Sequence, residues 1–239
     1  MTTGLFNTIR DLDAGVCRNI VSLRTSVDLF DDLSDGDPQR SALAARAEIR
    51  VKAGLPPGSV TRGFHYTTAI EYPFVTEPYL RTRYGDGTHG VWYGALEVDT
   101  TIMETAYHMI VDEGRIGGLD EDVHRERALY DVRCRAILID LSAKGLDYPE
   151  LVDEDYAPTN AIAQRLIREG HPGLLAPSAR CSGTTAAIFN ITVLSDPRLK
   201  YYLTYYYSPR ARMVGVERDP GKPLMQIVLR DGRLRVEKM

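Results

Sequence analysis

Residues 81–108 read RTRYGDGTHGVWYGALEVDTTIMETAYH. Two apolar-aromatic runs, Pro78–Tyr84 and Gly90–Leu96, flank Gly85-Asp86-Gly87-Thr88-His89, and that pattern predicts two strands around a Gly-rich turn. A helix is expected next, from Thr101 to Asp112, because Ile102, Ala106, Met109 and Ile110 fall on one helical face. Short strands followed directly by a helix place the chain in the α+β class, with mixed or antiparallel sheets and flanking helices.

Working outward, the downstream sequence keeps this character. Strands are expected at Ala136–Leu141, Gly173–Ala176 and Ala186–Leu194, and a helix over Thr159–Glu169 that Gly170 stops. The end of the chain, LMQIVLRDGRLRVEKM, reads as a hairpin around Asp231-Gly232. Tyr201, Tyr202, Tyr205, Tyr206 and Tyr207 suit a half-buried strand beside an interface. Upstream, Phe64–Ile70 reads as a strand. Before it, Leu12, Val16, Ile20, Leu23, Val27 and Phe30 recur at helical spacing and predict a helix over 6–31. A second helix is expected from Pro38 to Ala53, with Asp37 as N-cap and Gly54 at the C-terminal end, before Leu55-Pro56-Pro57-Gly58 breaks the chain. Residues 1–58 are therefore read as an N-terminal helical extension, and residues 59–239 as the functional domain.

Composition sets the bounds. A chain of 239 residues can bury a sizeable core, and a net charge of -4 gives no overall basic field to attract nucleic acid or anionic lipid. Cys17, Cys134 and Cys181 are too scattered for a disulfide framework or a zinc site, so they read as buried small hydrophobes in a reducing cytoplasm. The start MTTGLFNTIRDLD lacks the apolar stretch of a signal peptide, and no run approaches membrane-spanning length. A soluble cytoplasmic protein without metal or membrane partner is expected.

Within the opening stretch, Arg83, Tyr93 and Glu104 lie ten and eleven residues apart. A guanidinium fork donates paired hydrogen bonds of the kind a pyrophosphate accepts. A tyrosine offers a flat face to a nicotinamide ring. A fixed carboxylate stabilises the oxocarbenium-like cation that forms when an N-glycosidic bond breaks. On the expected helix Glu104 falls in the first turn, where the macrodipole favours an ionised side chain. Thr101-x-x-Glu104 is equally a capping box, which would explain the glutamate by structure alone. A two-residue hairpin at Asp86-Gly87 would also set Arg83 and Tyr93 on opposite faces, so one shared pocket requires a longer turn or a bulge.

Taken in order, Arg83, then Gly90-Val91-Trp92-Tyr93-Gly94-Ala95, then Glu104, and later Leu174-Leu175-Ala176-Pro177-Ser178-Ala179-Arg180, the segments resemble the RES domain, a family named for its Arg, Glu and Ser. The resemblance covers roughly residues 60–200. It implies an ADP-ribosyltransferase-like core that consumes NAD and acts as a toxin neutralised by an Xre-like antitoxin. It also implies that Arg83 binds the NAD phosphates, Tyr93 packs on nicotinamide, Glu104 is catalytic and Ser178 supports the site, with Asn190 at a polar position often seen downstream. Thr82 and Gly85 depart from the family pattern, and Arg81 stands beside Arg83 as a second candidate for the phosphates.

Three functions remain open at this point: NAD cleavage with water or phosphate as acceptor, transfer of ADP-ribose to a macromolecule, and a non-catalytic binding protein. The tyrosine cluster and the basic C-terminal hairpin offer surfaces for a homodimer or for an acidic antitoxin segment. Ser178 with His171 lacks a nucleophile elbow, and His108 with Glu104 lacks further metal ligands.

Overall fold

The structure, a computed structural model, describes residues 4–22, 67–75, 78–115 and 121–237. Its first strand, β1 (Ile9–Val21), is followed by a π-helical turn (Thr67–Glu71) and a short helix α1 (Tyr72–Val75). Next come β2 (Arg81–Thr82), β3 (Gly85–Asp86), β4 (Trp92–Ala95), α2 (Val98–Glu113) and the long β5 (Val123–Asp140). Helix α3 (Ala157–Arg168) leads to β6 (Gly173–Pro177) and β7 (Thr184–Ile188). The chain then runs through β8 (Leu194–Ser208), β9 (Met213–Asp219), β10 (Lys222–Arg230) and β11 (Arg233–Glu237).

Among the described residues, nine strands form one sheet in the order β1-β4-β7-β6-β5-β8-β9-β10-β11, and β1 pairs with β5 as well. That second pairing closes β1, β4, β7, β6 and β5 into a ring. Only β5 and β6 run parallel, so the sheet is mixed and the fold is α+β, as the sequence predicts.

One core cluster draws on all five ring strands: Leu12 and Val16, Trp92, Ala186 and Ile188, Leu175, Val132 and Leu138. Trp92 is fully buried and donates its indole N–H to the Ala69 carbonyl at 2.7 Å, which ties the π-helical turn to the ring. A Cβ at Gly94 would stand 2.7 Å from both the Trp92 ring and Val16, so the glycine leaves room for the indole. A second cluster seats α3, through Ile162, Ala163 and Leu166, on Leu174, Ala176 and Ala187. The third seats α2, through Ile102, Met103, Ala106 and Ile110, on Leu203, Tyr205, Tyr207, Val214 and Ile227. Each such large side chain contributes about 1.5–3 kcal/mol on burial.

Several expectations are corrected. Over its described part, the helix expected at 6–31 is β1, whose thirteen residues all pair with β5. Leu12, Val16 and Ile20 lie four apart, and an even spacing keeps residues on one face of a strand as well as of a helix. The described part of the expected strand Phe64–Ile70 is the π-helical turn, where Ala69 and Ile70 are buried against the ring. The helix expected over 38–53 lies outside the described residues.

The hairpin expected between Pro78–Tyr84 and Gly90–Leu96 does not form. Instead β2 turns back on β3 through Arg83 and Tyr84, while β4 pairs with β7 and β1. Helix α2 begins three residues earlier than the expected Thr101 start. The C-terminal hairpin forms as expected, with Asp231 and Gly232 both at positive φ. Tyr205 and Tyr207 are buried in β8, and the other three tyrosines of the cluster are half-buried. Cys17 and Cys134 are buried, and burial pushes the Cys134 thiol up to about 11. Among the described residues no helix is long and apolar enough to cross a membrane.

Candidate active site

The β2–β3 turn resolves the expected conflict between Arg83 and Tyr93. Arg83 and Tyr84 are the two turn residues, closed by the Thr82–Gly85 pair. A Cβ at Gly85 would lie 2.7 Å from the Thr82 hydroxyl, so the close pairing needs glycine there. Thr82 and Gly85 thus face each other.

Tyr93, from β4, reaches this turn with its hydroxyl. That oxygen accepts the Tyr84 N–H at 2.9 Å and shares a hydrogen bond with the Thr82 hydroxyl at 2.8 Å. Burial pushes the Tyr93 phenol up to about 12, against the opposing pull of the Thr82 and Tyr84 hydrogen bonds. The Arg83 guanidinium donates through Nη1 to the carbonyls of Asp153 at 2.5 Å and Leu151 at 3.3 Å, and lies over the Tyr156 ring at 4.7 Å. Asn160, from α3, donates to the carbonyls of Thr82, Arg83 and Tyr156 and so clamps the turn to that helix.

Glu104 belongs to a second group. Because α2 starts at Val98, Glu104 stands in its second turn, beyond the strongest part of the macrodipole. The capping box is absent as well: Thr101 donates its hydroxyl to the Val98 carbonyl from inside the helix. Glu104 Oε1 instead accepts the Ser178 hydroxyl at 2.5 Å. Ser178 Oγ in turn accepts the backbone N–H groups of Arg180 at 3.1 Å and Cys181 at 3.3 Å. Glu97 anchors the helix start: its carboxylate accepts the Thr100 hydroxyl and the Thr184 N–H, joining α2 to β7.

The two groups meet at the loop after the 3-10 turn Pro149–Leu151. Arg83 grips the carbonyl of Asp153, and the neighbouring Glu154 carboxylate accepts from Arg180 Nη1 at 2.5 Å and from the Tyr107 hydroxyl at 3.2 Å. Arg180 stacks on the Tyr107 ring at 3.3 Å, and its Nε lies 4.0 Å from Glu104 Oε2. Burial is the largest single influence on Arg180 and acts against its charge, but the Glu154 hydrogen bond and the fields of Tyr107, Glu154 and Glu104 together outweigh it, so its pKa rises. The Arg180 hydrogen bond also holds Glu154 below the usual carboxylate range.

The structure therefore brings Arg83 with Tyr93, brings Glu104 with Ser178, and links the pairs through residues 151–156. It leaves Arg81 exposed, with its stem running along Gly87. Asn190 serves a local purpose, its side chain capping the 3-10 turn Ile191–Val193 by accepting from Thr192. Among the described residues no group of three or more His, Cys, Asp or Glu could hold a metal ion.

Residues 56–208 match the model of the RES domain. The chain belongs to the RES domain family. Arg83, Tyr93, Glu104, Ser178 and Asn190 all fall inside the matched span. A solved structure, the MbcT–MbcA toxin–antitoxin complex of M. tuberculosis, overlaps 55% of this chain and 74% of its own, at a TM-score of 0.40 and 11% identity. No protein of curated function matches the sequence.

Within this RES domain, sequence reasoning gave no role to Arg180, which closes the serine segment, nor to Tyr107, Glu154, Tyr156 and Asn160. Two of them carried a usable signal. Tyr107 stands three residues after Glu104, on the same helical face, and Arg180 stands two residues after Ser178. Glu154 and Tyr156 lie on a loop whose path no local pattern sets.

Proposed function

We propose that this RES domain cleaves the nicotinamide–ribose bond of NAD and acts as the toxin of a toxin–antitoxin pair, held in check by an Xre-like partner. The observation that carries the reading is the Ser178–Glu104 hydrogen bond. A hydroxyl that donates to one carboxylate oxygen fixes the orientation of the other, and a preoriented anion is worth most where positive charge develops. In this reading Glu104 faces the ribose as the C–N bond breaks. Nicotinamide leaves as a neutral base with the bonding electron pair, and the ribosyl oxocarbenium ion is captured by water or phosphate, which gives up a proton to solvent. Tyr93 presents its ring to the nicotinamide with its hydroxyl already tied to the β2–β3 turn. Arg83 sits in that same turn and takes the diphosphate. The chemistry needs no metal.

The test is incubation of the purified protein with NAD, with and without phosphate, and identification of the products by mass. Release of nicotinamide with ADP-ribose, or with its phosphorylated form, supports the reading. Intact NAD refutes it, and label from NAD appearing on protein or nucleic acid instead of free product refutes the small-molecule acceptor.

A further inference from the structure

Arg83 and Arg180 come from distant parts of the chain, yet adjacent residues of one loop hold both guanidiniums: the carbonyl of Asp153 and the carboxylate of Glu154. We propose that Arg180 is the second guanidinium of the diphosphate-binding subsite, and that residues 153–154 are an internal mimic of that ligand which the diphosphate displaces. This rests on the reading above that the substrate carries a diphosphate.

The arginine is built in, while its counter-ion stands mostly in solvent. The Arg180 side chain is only 7% exposed and is pressed on the Tyr107 ring at 3.3 Å, whereas the Glu154 side chain is 62% exposed. Swinging Glu154 into water gives up its bonds to Arg180 and Tyr107 but restores its hydration, so the net cost is small, while Arg180 cannot follow it. Arg180 Nε is buried without a hydrogen-bond acceptor among the described residues, so the guanidinium has donor capacity that Glu154 leaves unused. Glu104 does not fill it, since its nearer oxygen stands 4.0 Å away. Arg83 donates its hydrogen bonds to neutral carbonyls, and its charge meets only the weaker field of Glu154, so it remains available to an anion. Two phosphate groups in tandem offer the paired acceptors that two neighbouring guanidiniums require. The exposed Arg81 has no such setting, so the second phosphate contact belongs to Arg180.

The test is calorimetric binding of inorganic pyrophosphate to the full chain, together with the KM for NAD. Glu154→Gln removes the competing charge at a mostly exposed position. It should tighten pyrophosphate about three- to tenfold and lower the KM in parallel. Arg180→Gln should weaken both by about tenfold or more. In the double variant most of the gain from Glu154→Gln should be lost, since Arg180 is the main partner of the glutamate and Arg83 a weaker one. If Arg180→Gln fails to fold, Glu154→Gln alone still decides. Unchanged or weaker pyrophosphate binding in Glu154→Gln overturns the proposal, as does absence of pyrophosphate binding to the natural chain. Pyrophosphate responses as expected without NAD turnover would leave this subsite standing and remove the NAD reading. Normal NAD turnover with a KM indifferent to Glu154→Gln would do the reverse.

Discussion

Ser178 donates its hydroxyl to Glu104 at 2.5 Å, joining the loop after β6 to the second turn of α2. The bond aims a carboxylate that is neither a helix cap nor a surface charge. Replacing Glu104 with Gln keeps the shape and removes the charge, so nicotinamide release should fall at least about a hundredfold with the melting temperature nearly unchanged. Ser178→Ala leaves the charge and frees its orientation, and the loss should be smaller, about tenfold. Equal rates for Glu104→Gln and the natural protein would remove Glu104 from the chemistry.

Tyr93 separates ring from hydroxyl. In Tyr93→Phe the ring persists, but the Tyr84 N–H loses its acceptor and the Thr82 hydroxyl loses its partner. An unpaired donor at a part-buried site costs roughly 1–3 kcal/mol. Denaturant unfolding should register that loss. Tyr93→Ala removes the aromatic face as well, so its KM for NAD should rise further than that of Tyr93→Phe. A Tyr93→Phe variant as stable as the natural protein would show that the phenol does not pin the β2–β3 turn.

These two cases also mark how far the sequence could be read. The α+β class, helices α2 and α3, strand β6 and the C-terminal hairpin were legible because caps, periodicity and turn residues act locally. Strand β1 was misread because its apolar residues sit four apart, a spacing that serves both periods. The partition of residues 78–96 was missed for a different reason. Gly85 and Gly87 allow turns at several positions, and the choice is made by the pairing of β4 with β7, nearly a hundred residues on. Arg83, Tyr93, Glu104 and Ser178 could be named from an ordered pattern, whereas Glu154 and Asn160 join the site only through tertiary contacts.

Asp86 gives a dependence on pH with a definite sign. The hydroxyl and N–H of Thr88 donate to it at 2.6 and 2.9 Å, and the Gln164 amide donates as well, anchoring the turn to α3. The Thr88 side-chain bond is the largest cause that lowers its pKa from 3.8 to about 2. A carboxyl depressed in the folded state contributes stability that is fully present above about 3.8 and is lost as pH falls through about 2. After solvent screening this amounts to roughly 1 kcal/mol. Urea unfolding between those two pH values should show a slope in the natural protein that is shallower in Asp86→Asn. Identical slopes would mean that the turn does not sense the charge.

Asn160 tests whether the placement of Arg83 governs substrate binding. Its amide nitrogen donates to the carbonyls of Thr82, Arg83 and Tyr156 at 3.1, 3.4 and 2.7 Å. It touches no atom assigned here to substrate, so it acts through the turn. Asn160→Ala removes the donor and should raise the KM for NAD about tenfold while changing kcat less, because a displaced guanidinium loses ground-state and transition-state binding alike. Asn160→Asp keeps the volume but sets an acceptor against three carbonyl oxygens, so it should fold less stably than the alanine variant, by about 1 kcal/mol or more. A general loss of structure would lower kcat and stability together in both variants. A positioning role instead predicts that Asn160→Ala shifts KM at nearly constant kcat, and the pair of constants measured on this one variant separates the two.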